Sequence, residues 1–74
     1  MPPTPILVPE DVAAYRTGRS GPTIRKWAME GRITRYGHGR GGRRYDVNEL
    51  PPAFRDEYTG QVIELSPPPP LPTT

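Results

Sequence analysis

Twenty of the 74 residues are proline or glycine, twelve and eight respectively, and their positions decide which segments can become regular structure. Residues 1–5, MPPTP, are too proline-rich for an element and read as a disordered start. Residues 66–74, SPPPPLPTT, read as polyproline II or disorder. One candidate domain lies between, residues 6–58, with residues 59–74 as a proline-rich tail or linker. Apolar residues are only 32% of the chain, so the core must be small and marginally stable. Such a core leaves little structure to hold a buried catalytic pocket, and no enzyme is expected. The chain has no cysteine, which excludes disulfides and thiolate metal sites. Its apolar runs are a few residues long, too short to span a membrane. No basic segment followed by an apolar stretch opens the chain. The expectation is a cytoplasmic, nucleoid-associated protein.

Within the domain the local signals alternate. Pro9 suits the first turn of a helix, and Glu10 and Asp11 suit its positive end. This first helix is expected from Pro9 to about Arg16, with Val8, Val12 and Tyr15 as its buried stripe. Gly18 breaks it. A second helix is expected from Gly21 to Glu30, with Ser20 as N-cap and Pro22 in the first turn. Ile24, Trp27 and Ala28 share one face of it, and Trp27 reads as core rather than as a stacking platform. Gly31 stands where a left-handed C-cap is wanted. Arg32 to Tyr36 alternates as a short strand, the glycine-rich run 37–42 makes a loop, and Arg43 to Asp46 resumes a strand. Asp46 and Glu49 resemble a capping box that starts a short helix ending near Leu50. Residues 53–58, AFRDEY, add a further turn or two of helix. Two helices joined by a short glycine-containing turn is the helix-turn-helix pattern.

The charge is concentrated. Across residues 16–44, Arg16, Arg19, Arg25, Lys26, Arg32, Arg35, Arg40, Arg43 and Arg44 stand against Glu30 alone, a local charge of +8 in a chain of net +2. That is the footprint of a polyanion binder. A solvated basic surface is the bland alternative. The loop GHGRGGRR lacks the G-K-[ST] ending of a phosphate-binding loop, and no helix follows it at once. His38 is the only histidine, so a metal site is not expected, and neither is any cofactor. The P-x-x-P in the tail suits a proline-recognition groove or, more simply, a spacer.

The motifs Val12-Ala13, SGPTIRKW (20–27), Glu30-Gly31-Arg32-Ile33, Arg43-Arg44-Tyr45-Asp46 and Glu49-Leu50 occur in an order that resembles the winged helix-turn-helix of the MerR/excisionase superfamily. No long coiled-coil helix follows, so the likeness is to the short, single-domain branch. YDVNELPPAFRDEY is similar, more weakly, to the end of the N-terminal winged domain of Mu-type transposases and repressors. The resemblance implies a mainly α fold with a small β-hairpin, α-turn-α-β-wing-β-α. It implies a sequence-specific double-stranded DNA-binding protein, a small transcriptional regulator or an excisionase-type architectural factor. The alternative is the DNA-targeting module of a larger phage or transposon protein. On this reading Arg19, Ser20, Thr23, Arg25 and Lys26 serve the major groove. Arg25 either grips a guanine or contacts a phosphate. Arg35, Tyr36, His38, Arg40, Arg43 and Arg44 serve the wing, which reaches the minor groove. With no heptad repeat, the free chain is expected to be a monomer that binds DNA as several copies side by side.

Overall fold

The computed structural model describes residues 4–39 and 41–72. Its two helices follow from local chemistry. Helix α1 spans Glu10–Thr17, with Pro9 as N-cap and Glu10 and Asp11 in the first turn. Gly18 ends it at φ 69°, and the Arg19 amide closes the turn on the Ala14 carbonyl at 3.1 Å. A side chain at Gly18 would also collide, since a Cβ there falls 2.8 Å from Leu65 Cδ2 and 3.0 Å from Ala53 Cβ. Helix α2 spans Gly21–Met29. Ser20 Oγ accepts from the Thr23 amide at 3.4 Å, and Pro22 fills the first turn. At the other end the Arg32 amide returns to the Trp27 carbonyl at 2.9 Å around Gly31, which has φ 80°.

Three short strands form an antiparallel sheet in the order β1-β3-β2: β1 Leu7–Val8, β2 Arg35–Tyr36 and β3 Arg44–Asp46. In the register Val8 pairs with Tyr45, and Arg35 also pairs with Tyr45. Tyr45 is thus central, and it joins Ala13, Ile24, Trp27, Ile33 and Leu50 in the buried core. A 3-10 turn follows at Val47–Glu49. The chain then makes a second antiparallel pair, β4 Phe54–Arg55 with β5 Val62–Glu64.

This arrangement corrects the expected fold class. The chain is not a mainly α winged helix-turn-helix with a third helix after the hairpin. Its described residues form two helices and five strands in two small sheets. The expected helix over 53–58 is strand and turn, for a legible reason. Pro51 and Pro52 cannot donate to a helical ladder. Asp56 Oδ1 accepts from the Tyr58 and Thr59 amides at 2.8 and 2.9 Å, and Gly60 at φ 75° turns the chain back. The capping box is half realised. Asp46 Oδ1 accepts from the Asn48 amide at 3.0 Å, but Glu49 turns to the Thr34 amide and hydroxyl, each at 3.2 Å. Strand β1 was not expected from sequence, and the strand expected from Arg32 is short because Arg32 still caps α2.

The stripe expected on α1 is also corrected. Val12 is 42% and Tyr15 62% exposed, while Ala13 and Thr17 are buried. Small side chains at 13 and 17 let α1 lie close to its neighbours, and the Thr17 hydroxyl donates to the Ala13 carbonyl at 2.9 Å. Tyr15 instead lies under the Arg55 guanidinium, 3.9 Å from its ring centre. Residues 62–72 run back along the helices, with Ser66 Oγ donating to the Pro52 carbonyl at 2.6 Å and Pro72 against Gly31. No helix among the described residues is long and apolar enough to cross a membrane.

Candidate nucleic-acid interface

Helix α2 buries Ile24 and Trp27, which turns the intervening positions outward. The β2–β3 pair faces that outer side at an angle. Between them opens a cleft of about 690 Å³ lined by Pro22, Arg25, Lys26, Ala28, Met29, Arg35, Arg43 and Tyr45. Four cations converge there, and among the described residues no carboxylate lines the cleft. Met29, 86% exposed, adds an apolar lip with Pro22 and Ala28.

A smaller hollow adjoins it, lined by Pro9, Glu10, Asp11, Arg25, Gly41, Arg43 and Arg44. Arg25 and Arg43 border both. Glu10 Oε1 lies 3.5 Å from Arg25 Nε, a loose ion pair that sets the guanidinium between the two hollows. The Glu10 carboxylate can sit there because residue 21 is glycine: a Cβ would come within 2.9 Å of Glu10 Oε2.

The residues expected to touch DNA divide into groups. Arg25, Lys26, Arg35 and Arg43 are brought together around the cleft. Ser20 and Thr23 are occupied with each other at the helix start, their hydroxyls 3.0 Å apart. Arg19 lines neither hollow. Its guanidinium lies 5.0 Å from the Trp27 ring centre, and its Nη2 donates to the Ser66 carbonyl at 2.8 Å. Arg44 holds the loop base, donating to the Gly41 and Arg43 carbonyls at 3.0 and 2.9 Å. Tyr36 is half-buried in β2, and His38 is exposed in the loop without lining either hollow. Arg40 lies outside the described residues. Four cleft residues had not been singled out for it, Pro22, Ala28, Met29 and Tyr45, nor had Glu10, which lines the adjoining hollow behind Arg25. Tyr45 had a signal in the strand alternation, since Arg44 and Asp46 on either side point away from it. Glu10 had none, because its closeness to Arg25 is purely tertiary.

Burial pushes the Tyr45 hydroxyl above its ordinary pKa, and the charge of Glu10 adds to the rise. Arg43, Arg25 and Arg35 pull it the other way, so all four charges act on one hydroxyl. No family model, curated protein or solved structure matches the chain.

Proposed function

We propose that this chain binds double-stranded DNA through the cleft between α2 and the β2–β3 pair, as a non-enzymatic, sequence-specific DNA-binding protein. The observation that carries the reading is the convergence of Arg25, Lys26, Arg35 and Arg43 on one open cleft without an acid in its lining. Four cations in one place suit a polyphosphate backbone, whose counterions they would displace. Ala28 and Met29 offer apolar contact of the kind that a thymine methyl accepts in the major groove. Its role would be that of a small regulator or an architectural factor on DNA. Several monomers on adjacent sites would supply the specificity that one small cleft lacks.

The test is a fluorescence-anisotropy titration of a labelled duplex across salt concentrations. Four phosphate contacts give a slope of about −3 to −4 in log K against log salt. A duplex affinity that is absent, or indifferent to salt, refutes the reading.

A further inference from the structure

Three buried polar atoms without a hydrogen-bond partner among the described residues belong to neighbouring side chains: Glu10 Oε1, Arg43 Nε and Tyr45 OH. A buried hydroxyl without a partner costs stability, because it has left water and received nothing in return. Tyr45 is fully buried and lines the cleft, on a strand against which α1, β1 and β2 pack. We infer that the Tyr45 hydroxyl is the concealed hydrogen-bond donor of a phosphodiester pocket, completing with Arg43 Nε a seat for one DNA backbone phosphate between α2 and the β2–β3 pair. The inference rests on the proposed DNA binding and names the group that the cleft receives.

The two hollows show why the anion sits on the Tyr45 side. The smaller one sets Arg25, Arg43 and Arg44 against Glu10 and Asp11. The cleft shares Arg25 and Arg43 but adds Lys26 and Arg35, with no acid in its lining. An entering phosphate therefore meets four cations on one side and a nearly neutral wall on the other. Glu10 and Asp11 offset most of the positive charge of the smaller hollow and weaken its pull on an anion. A hydroxyl donor and an Nε donor can both point at one phosphate oxygen without adding charge, which makes the pocket selective for a fixed acceptor rather than for diffuse counterions. Burial and the Glu10 charge raise the Tyr45 pKa, so the hydroxyl stays protonated, and so a donor, at neutral pH.

Tyr45→Phe removes the hydroxyl and keeps the ring. In the free protein its Tm should be equal to or a few degrees above that of the parent, since an unpaired buried group has gone. Duplex affinity in the anisotropy titration should fall about ten- to a hundredfold, at the scale of one hydrogen bond to a charged acceptor. The salt slope should stay the same, because no charge was removed. Arg35→Gln is the contrasting variant, and its slope should drop by about one. If Tyr45→Phe lowers the Tm, the hydroxyl already has a partner in the free state and the inference is wrong. Parental duplex affinity in Tyr45→Phe also removes it, while a steep parental salt slope leaves the proposed function standing. Weaker binding of inorganic phosphate by the variant, with unchanged duplex affinity, would make this a free-phosphate site and overturn the assignment to DNA. A parent chain with no salt-dependent duplex affinity takes down the proposed function and this pocket with it.

Discussion

Arginine does different work in two regions of this molecule. Where the C-terminal half lies against the helices, each guanidinium holds a backbone carbonyl: Arg16 that of Leu50, Arg19 that of Ser66, Arg32 that of Pro69, and Arg55 those of Tyr15 and Gly60. Around the cleft, Arg25, Lys26 and Arg35 hold no backbone carbonyl among the described residues, and Arg43 keeps a buried Nε without a partner. The difference follows from what each region offers. Proline-rich chain has carbonyl acceptors but few amide donors, so it cannot dock through a strand ladder. A guanidinium with five donors supplies what is missing. The cleft is lined by side chains of α2 and of the β2–β3 pair, and Lys26 and Arg35 make no ion pair there among the described residues. Counting charge along the chain therefore overstates the charge at the cleft, because Arg16, Arg19 and Arg32 of the +8 segment hold backbone carbonyls instead.

Breaking both regions at once should have the largest effect. Trp27 is 4% exposed, carries the core between the helices and lies under Arg19. Trp27→Ala should cost about 3–5 kcal/mol. For a domain this small that leaves most of the chain unfolded by circular dichroism, and duplex binding should vanish with it.

The next variant separates the regions. Arg19→Gln loses a charge-assisted bond to Ser66 and the stack on Trp27, worth about 1–3 kcal/mol together. Thermal melts should show the loss, while the salt slope of duplex binding stays at the parental value. A normal melt with a reduced slope would return Arg19 to the interface.

On the cleft side, Arg25→Ala should leave the melt nearly unchanged. The pair it forms with Glu10 is loose and its side chain is 46% exposed, so the pair adds little stability. Affinity for a preferred duplex should fall by about 1–3 kcal/mol if Arg25 grips a base, with random duplex little affected. Equal losses on both duplexes would assign it to a phosphate.

The smallest effect is expected in the second hairpin. The amides of Thr59 and Tyr58 hold the Asp56 carboxyl below the ordinary carboxylate range. A carboxyl depressed by folding adds stability above its ordinary pKa. That stability is lost as the pH falls through the depressed value. Asp56→Asn should therefore melt slightly below the parent at neutral pH and match it in acid. A gap between the two melts that persists at low pH would mean the turn depends on shape rather than charge.

Much of the helical part was legible because its causes are local. Ser20, Pro22, Gly18 and Gly31 act within a turn of where they stand, and Ile24 with Trp27 marks its own face by spacing. Tyr15 misled because a Tyr at helical spacing looks like core, whereas Arg55, forty residues on, took its ring at the surface. The second hairpin was missed although Pro51-Pro52, Asp56 and Gly60 spell a turn, because AFRDEY by itself also suits a helix.

The sequence by itself determined two capped helices, a glycine-rich hairpin and a block of basic charge, since these rest on backbone preferences and on counts that need no distant partner. Only the tertiary structure decided which of those charges hold the chain together and which line the cleft. A guanidinium is satisfied alike by a carbonyl, a carboxylate or a phosphate. Which one it meets depends on segments such as Ser66 and Pro69, 47 and 37 residues from the arginines they engage.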